Sequence, residues 1–114
     1  MLRIYGLPSC DTCRKARQWL TAHGKEYTFH DLRAEGLDIE TLERWSRSLD
    51  WQQLLNTHSI TWRKVPEVDR EGLTPGKALS LMLEQPTLVK RPVLEQDDVV
   101  VVGFSPISYQ KLLK

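Results

Sequence analysis

Two cysteines, Cys10 and Cys13, stand two residues apart at the boundary between two sequence patterns, and this boundary constrains the fold more than any other feature. Residues 2–5 form a short apolar-rich run that a glycine and a proline follow, which predicts a strand leading into a loop. From Asp11 onward, apolar side chains recur at spacings of three and four, which predicts a helix that Gly24 can stop. The chain is therefore predicted to place both cysteines at a strand-to-helix turn.

The next part of the sequence predicts a second strand followed by a helical insertion. Residues 26–30 alternate polar with aromatic side chains, and the order strand, helix, strand favours a parallel pair. Residues 33–88 then lose the strand pattern and keep helical spacing. Within this segment, Thr74 and Pro75 predict a helix start, because a capping hydroxyl stands before a proline.

The last part of the sequence predicts a hairpin and a final helix. Residues 92–95 and 98–102 form two apolar runs joined by Gln96-Asp97, a short polar connection typical of an antiparallel hairpin. The second run contains four valines and is expected to be buried. A helix should begin after Ser105. Together these elements predict an α/β protein with a thioredoxin-like fold, a mixed four-stranded sheet, and an inserted helical segment at about 33–88.

Length and charge narrow the class of protein. A chain of 114 residues suits one domain, so we expect a single domain over residues 1–114. The net charge of +1 provides no strong field for nucleic acid or an anionic membrane. The longest clean apolar run, residues 99–102, is far shorter than the roughly 20 residues of a membrane helix. We expect a cytoplasmic protein that binds neither nucleic acid nor membrane.

The Cys-x-x-Cys spacing predicts thiol redox chemistry. Cys10 should lie at the amino terminus of the helix, where exposed N–H groups and the helix dipole favour a thiolate. Arg14 and Lys15 add positive charge within one turn, and Asp11 opposes them. Cys13, one turn further, is placed to attack a mixed disulfide at Cys10. We predict that Cys10 is the nucleophile and Cys13 the resolving thiol.

Two other interpretations of the cysteines are weaker. A structural zinc site normally has four Cys or His ligands, but His23, His30 and His58 are scattered over three predicted elements. No metal is therefore expected. Two ordinary buried cysteines remain an alternative, although a helix start is the electropositive setting of reactive thiols.

Several residues outside the cysteine loop are candidates for substrate binding. The Arg91-Pro92 bond precedes a predicted strand, which is a frequent place for a cis isomer. In a thioredoxin-like fold this turn abuts the cysteines, so Arg91 could stabilise a thiolate or bind an anion. Trp62 and Arg63 could hold a carboxylate, although a solvated turn with Trp62 packed into the core is the commoner arrangement of such residues. We predict Arg91 as a catalytic residue and Arg14, Arg63 and Pro92 as substrate-binding residues.

The sequence resembles the arsenate reductase (ArsC) and Spx family over nearly its whole length. The motifs that carry the resemblance are Cys10-Asp-Thr-Cys-Arg-Lys-Ala16, Arg91-Pro-Val93 and Val102-Gly-Phe104. Further segments, at residues 58–64 and 102–106, are most similar to the YffB branch, whose members are regarded as glutathione-dependent thiol reductases. The resemblance implies that Cys10 is in the nucleophile position and Pro92 in the cis-proline position. It also implies that the substrate is a small thiol or disulfide and that glutathione is the cosubstrate.

The sequence also departs from parts of this family. Arsenate reductases that depend on glutaredoxin use three arginines around the oxyanion, and here only Arg91 matches. Asn56 and Phe104 stand where the other two belong, which disfavours arsenate as a substrate. The Spx regulators share the cysteine motif and bind RNA polymerase. A redox-sensing regulator that binds RNA polymerase is therefore one alternative to the glutathione-dependent reductase, and an arsenate reductase with glutaredoxin as its partner is the other.

Overall fold

The computed structural model describes residues 1–113 and divides the chain into two compact units. One unit consists of Met1–Asp31 together with the chain from Arg91 onward, and the other is Leu32–Lys90. The elements in chain order are β1 (Leu2–Gly6), α1 (Asp11–Ala22), β2 (Thr28–Asp31), α2 (Leu32–Glu35), α3 (Ile39–Ser46), α4 (Trp51–Leu54), α5 (Ile60–Lys64), α6 (Glu67–Arg70), α7 (Pro75–Glu84), a 3₁₀ turn (Pro86–Leu88), β3 (Val93–Gln96), β4 (Val99–Val102) and α8 (Pro106–Leu112).

The first unit contains a mixed four-stranded sheet with the order β2-β1-β3-β4. Strand β1 pairs with β2 in parallel and with β3 in antiparallel orientation, and β3 pairs with β4 as an antiparallel hairpin. In the central register, Ile4 lies opposite Phe29 on one side and Leu94 on the other. The predicted parallel pair, the hairpin and the α/β class are confirmed.

One face of this sheet forms the core of the unit. Buried side chains of β1 and β3 pack there against α1 and α8, and an outer layer of aromatic side chains, which includes Trp19 and Phe104, covers them. The buried members are Leu2, Ile4, Ala16, Leu20, Leu94, Tyr109 and Leu113. This packing fixes α1 along the sheet, so the residues at its amino terminus have defined positions relative to β1.

The second unit, Leu32–Lys90, is helical. Helices α3 and α4 pack on α7, and α2 and α5 pack on the 3₁₀ turn. Three helices begin with a side chain that accepts a backbone N–H: Asp38 for α3, Ser59 for α5 and Thr74 for α7. The predicted helix start at Thr74-Pro75 is thus confirmed. The core of this unit contains Leu42, Trp45, Leu54, Ala78, Met82 and Leu88.

The structure corrects two expectations about the hairpin. Strand β4 is not buried throughout, because it lies at the edge of the sheet. Val99 is 44% exposed, and Val100 is the one buried residue of the strand. The connecting turn consists of Asp97 and Asp98, which Gln96 and Val99 flank as a pair. Asp97 adopts a positive φ of 52°, a conformation that Asp tolerates better than most residues.

Two structural features are absent from residues 1–113. In this part of the chain no helix is long and apolar enough to cross a membrane. The same residues contain no group of three or more His, Cys, Asp or Glu side chains that could hold a metal ion.

Candidate active site

Cys10 is the residue immediately before α1 and acts as its N-cap. Its backbone is extended, with φ −80° and ψ 123°, and its carbonyl accepts the first helical hydrogen bond from the Arg14 N–H at 2.9 Å. Its own N–H donates to the Leu7 carbonyl at 3.2 Å. The Cys10 side chain is partly exposed, so a substrate can reach the sulfur at the helix end.

Cys13 lies one turn inside α1 and is fully buried. Its sulfur fits against Gly6 of β1, at a place where a Cβ on Gly6 would overlap it. The backbone N–H of Leu7 donates a hydrogen bond to Cys13, and the Cys13 thiol itself donates to the Cys10 sulfur. Both cysteines are free thiols in this structure. Cys13 is therefore inaccessible to solvent but in direct contact with Cys10.

Arg91 contacts the same sulfur, although it lies far from Cys10 in the sequence. It precedes Pro92 at the start of the hairpin, and the Arg91-Pro92 bond is cis. The Arg91 guanidinium donates a hydrogen bond to Cys10. The structure therefore brings together three of the predicted residues, namely Cys10, Cys13 and Arg91. Pro92, the residue after Arg91, is buried.

These contacts give the two thiols opposite acidities. Burial raises the pKa of Cys10, but the Cys13 N–H, the Cys13 thiol and the Arg91 guanidinium stabilise its thiolate and together lower the pKa below its usual value. Burial, together with the neighbouring Cys10, raises the pKa of Cys13 to about 12, although the Leu7 N–H and Arg91 act in the opposite direction. Cys10 is thus the more acidic of the two thiols, and Cys13 keeps its proton and donates a hydrogen bond to Cys10.

The other predicted binding residues are less directly involved. Arg14 forms an ion pair with Asp11, and it lines a shallow groove of about 430 Å³ along α1 together with Arg17 and Tyr27. Arg63 is exposed in the last turn of α5, in the Leu32–Lys90 unit. The substrate-binding roles of Arg14, Arg63 and Pro92 stay predictions.

Asn56 and Phe104, which the resemblance implies in the positions of two oxyanion-binding arginines, have other structural contacts. The Asn56 side-chain oxygen accepts the His58 N–H at 3.0 Å. The Phe104 ring packs edge-on against Tyr109 with centroids 4.8 Å apart. Neither side chain carries a charge that could bind an oxyanion.

Sequence reasoning missed two residues that surround Cys13. The sequence predicts only that Gly6 ends a strand, although its lack of a side chain admits the Cys13 sulfur. Tyr109 lies in the helix predicted after Ser105 and has no predicted role. Its hydroxyl is buried without a hydrogen-bond partner in the described chain, and burial and the charge on Cys13 both raise its pKa. No local sequence signal connects either residue with Cys13, because both contacts depend on the tertiary fold.

Solved structures of related proteins have the same fold. A YFFB protein is 44% identical, with both chains covered completely and a TM-score of 0.96. An arsenate reductase (ArsC) related protein from Brucella melitensis is 50% identical, with 99% of this chain and 94% of that chain covered and a TM-score of 0.77. A glutaredoxin from Archaeoglobus fulgidus, 13% identical, covers 99% of this chain and 85% of its own with a TM-score of 0.50, which supports the thioredoxin-like fold alone.

Sequence comparison agrees with these structures. The regulatory protein MgsR of Bacillus subtilis is 34% identical over 116 residues, which covers 99% of this chain and 90% of MgsR. The sequence profile of the ArsC family matches residues 5–112. Since this match spans almost the entire chain, the protein belongs to the ArsC family.

Proposed function

We propose that this protein is a glutathione-dependent thiol-disulfide reductase in which Cys10 is the nucleophile. The observation that supports this proposal best is the partly exposed Cys10 sulfur at the start of α1, where Cys13 and Arg91 both donate hydrogen bonds to it. Donors of this kind favour the thiolate, which is the reactive form of cysteine in thiol-disulfide exchange.

The reaction begins with attack of the Cys10 thiolate on one sulfur of a substrate disulfide. A bond forms between Cys10 and that sulfur, the substrate S–S bond breaks, and the departing thiolate takes a proton from water. Cys13 then loses its proton and attacks the Cys10 sulfur, which releases the second half of the substrate as a thiol. Two molecules of glutathione finally reduce the Cys10–Cys13 disulfide and become oxidised glutathione.

The positions of the cysteines favour this order of steps. Cys13 is fully buried, so an external disulfide reaches only Cys10. The high pKa of Cys13 keeps it protonated while Cys10 is a thiolate, and the loss of the Cys10 charge in the mixed disulfide removes one cause of that high pKa. Arg91 can then bind an anionic part of the substrate, such as a glutathione carboxylate, by charge-assisted hydrogen bonds.

The test is turnover of a small disulfide with glutathione, in the presence of a system that recycles oxidised glutathione. We expect activity in the unmodified protein, none in Cys10→Ser, and a trapped glutathione adduct on Cys10 in Cys13→Ser. The proposal fails if the unmodified protein shows no turnover above background and forms no mixed disulfide with oxidised glutathione.

A second candidate function is redox regulation, which the identity of 34% to the regulatory protein MgsR favours. In this alternative, Cys10 and Cys13 would form a disulfide that changes the affinity for RNA polymerase, without catalytic turnover. Recovery of RNA polymerase with the reduced or the oxidised protein, together with a failure of the turnover assay, would favour the regulator over the reductase.

Arsenate reduction is expected to be weak or undetectable. The resemblance to arsenate reductases implies three arginine positions around the oxyanion, and of these only residue 91 is an arginine, because the other two are Asn56 and Phe104. Each missing charge-assisted contact costs about 1.5 to 3 kcal/mol, so the loss of two weakens oxyanion binding by a few orders of magnitude. The measurement is arsenite production with glutathione and glutaredoxin at micromolar arsenate, and efficient production there would contradict this prediction.

A further inference from the structure

Gly6, the last residue of β1, has no conformational need to be glycine. It is buried and pairs in register with Asp31 of β2. The glycines with positive φ are Gly24, Gly36, Gly72 and Gly103, and Gly6 is not among them. Any residue with a β-carbon could therefore adopt its backbone conformation. The reason for a glycine must lie in the space beside it.

The space beside Gly6 is filled by Cys13. A Cβ added to Gly6 would overlap the Cys13 sulfur and lie 3.3 Å from the Cys13 Cβ, whereas the ring of Phe29 would be 3.9 Å away, an ordinary contact. At the other five glycines an added Cβ would meet nothing within 4 Å. Gly6 is thus the one glycine whose missing side chain is replaced by another group of the protein, and that group is a thiol of the candidate active site.

We propose that Gly6 is a positioning residue for Cys13: its bare backbone provides the space in which the Cys13 thiol is held against Cys10. This inference rests on the proposed thiol-disulfide chemistry and adds a residue that acts through Cys13 without touching the substrate. Two further contacts agree with it, because the Leu7 N–H, next to Gly6, donates to Cys13, and the Cys13 thiol donates to Cys10.

The helix itself cannot easily move to make room for a larger residue. Ala16 and Leu20 of α1 are fully buried in the core cluster, and close-packed interiors resist even the addition of one methyl group. In Gly6→Ala the new methyl group therefore displaces the Cys13 sulfur by rotation of its side chain. The hydrogen bond from Cys13 to Cys10 is then lost.

The first experiment measures this loss in Gly6→Ala. The pH profile of Cys10 alkylation by iodoacetamide should shift upward by about one pKa unit, the effect of one hydrogen bond to a charged group. Formation of the Cys10–Cys13 disulfide by diamide should slow by about tenfold or more, because the sulfurs no longer meet in an attacking geometry. Gly76→Ala is the matched control, since it makes the same change in open space and should alter neither quantity.

The second experiment separates positioning from folding. In a Cys13→Ala background there is no sulfur to displace, so Gly6→Ala should leave the Cys10 pKa unchanged. If Gly6→Ala alone does not fold, a folded Gly6→Ala, Cys13→Ala protein still supports the proposal, because the conflict then depends on the sulfur. Equal shifts in both backgrounds, no shift in either, or a double variant that also fails to fold, would overturn it.

Neither readout requires turnover, so the outcome is independent of the proposed reductase activity. A protein that shows no glutathione-dependent turnover but responds to Gly6→Ala as described would lose the proposed function and keep the positioning role of Gly6. A protein that turns over normally with unchanged Cys10 acidity and disulfide formation in Gly6→Ala would lose the positioning role alone.

Discussion

Two residues that lie far apart in the sequence donate hydrogen bonds to the Cys10 sulfur and lower its pKa. Cys13 is one turn along the same helix, and its contact with Cys10 follows from helical geometry alone. Arg91 comes from the start of the hairpin, so its contact depends on how β3 pairs with β1. The sequence predicted the first contact from local spacing, whereas the second required the assumption of a thioredoxin-like fold.

The opposite acidities of the two thiols predict unequal alkylation. At pH 7, iodoacetamide should modify Cys10 rapidly and Cys13 hardly at all, because thiolates react and buried thiols do not. Timed labelling followed by peptide mass spectrometry measures both rates in one sample. Labelling in a denaturant is the control, in which both cysteines should react at similar rates. Faster modification of Cys13 in the folded protein would reverse the roles proposed for the two cysteines.

Replacement of Arg91 should make Cys10 less acidic. Arg91→Ala removes a charged donor, and because Cys10 is partly exposed to screening solvent we expect a rise of about one pKa unit. As a consequence, the thiolate fraction near neutral pH falls and alkylation slows. The pH profile of alkylation measures the shift. Arg91→Lys keeps the charge but not the planar guanidinium, so its Cys10 pKa should lie between those of the unmodified protein and Arg91→Ala. An unchanged Cys10 pKa in Arg91→Ala would make Arg91 a solvated residue without a role.

At the scale of elements, helix starts were more predictable than strand burial. Thr74-Pro75 and Ser105-Pro106 both begin helices where the sequence placed them, because a cap and a proline act within a few residues. The four valines of β4 predicted a buried strand, yet this strand lies at the sheet edge. Strand order depends on long-range pairing, which composition of the strand alone does not encode.

The cap of α7 offers a test at this scale. The Thr74 hydroxyl accepts the Lys77 N–H at 3.2 Å, so Thr74→Ala should lower the free energy of unfolding by about 1 kcal/mol. Thr74→Ser retains the acceptor and should cost much less. Urea unfolding followed by circular dichroism measures both. If the two variants were equally stable, the hydroxyl would contribute nothing to α7.

At the scale of the whole molecule, one compact unit is inserted within the sequence of the other. The Leu32–Lys90 unit is inserted between β2 and the hairpin of the other unit. Its first helix, α2, packs on the 3₁₀ turn near its end, so folding of the insertion brings its own ends together. If this segment were unfolded, closing a flexible loop of its length would lower the stability of the sheet by about 3 to 4 kcal/mol. We therefore propose that the two units unfold as the single domain expected from the sequence.

This proposal predicts that a destabilising substitution in the insertion also destabilises the sheet. Leu42 is 1% exposed in the core of the helical unit, and Leu42→Ala should destabilise that unit by about 2 to 5 kcal/mol. Hydrogen exchange with mass spectrometry should then show reduced protection in peptides from β1 and β3 as well as from α3 and α7. Ile39→Ala is the control, because Ile39 lies on the same helix but is 56% exposed, and it should change protection little. Reduced protection confined to Leu32–Lys90 would instead mean that the insertion unfolds alone, because the loop-closure cost would then be too small to link it to the sheet.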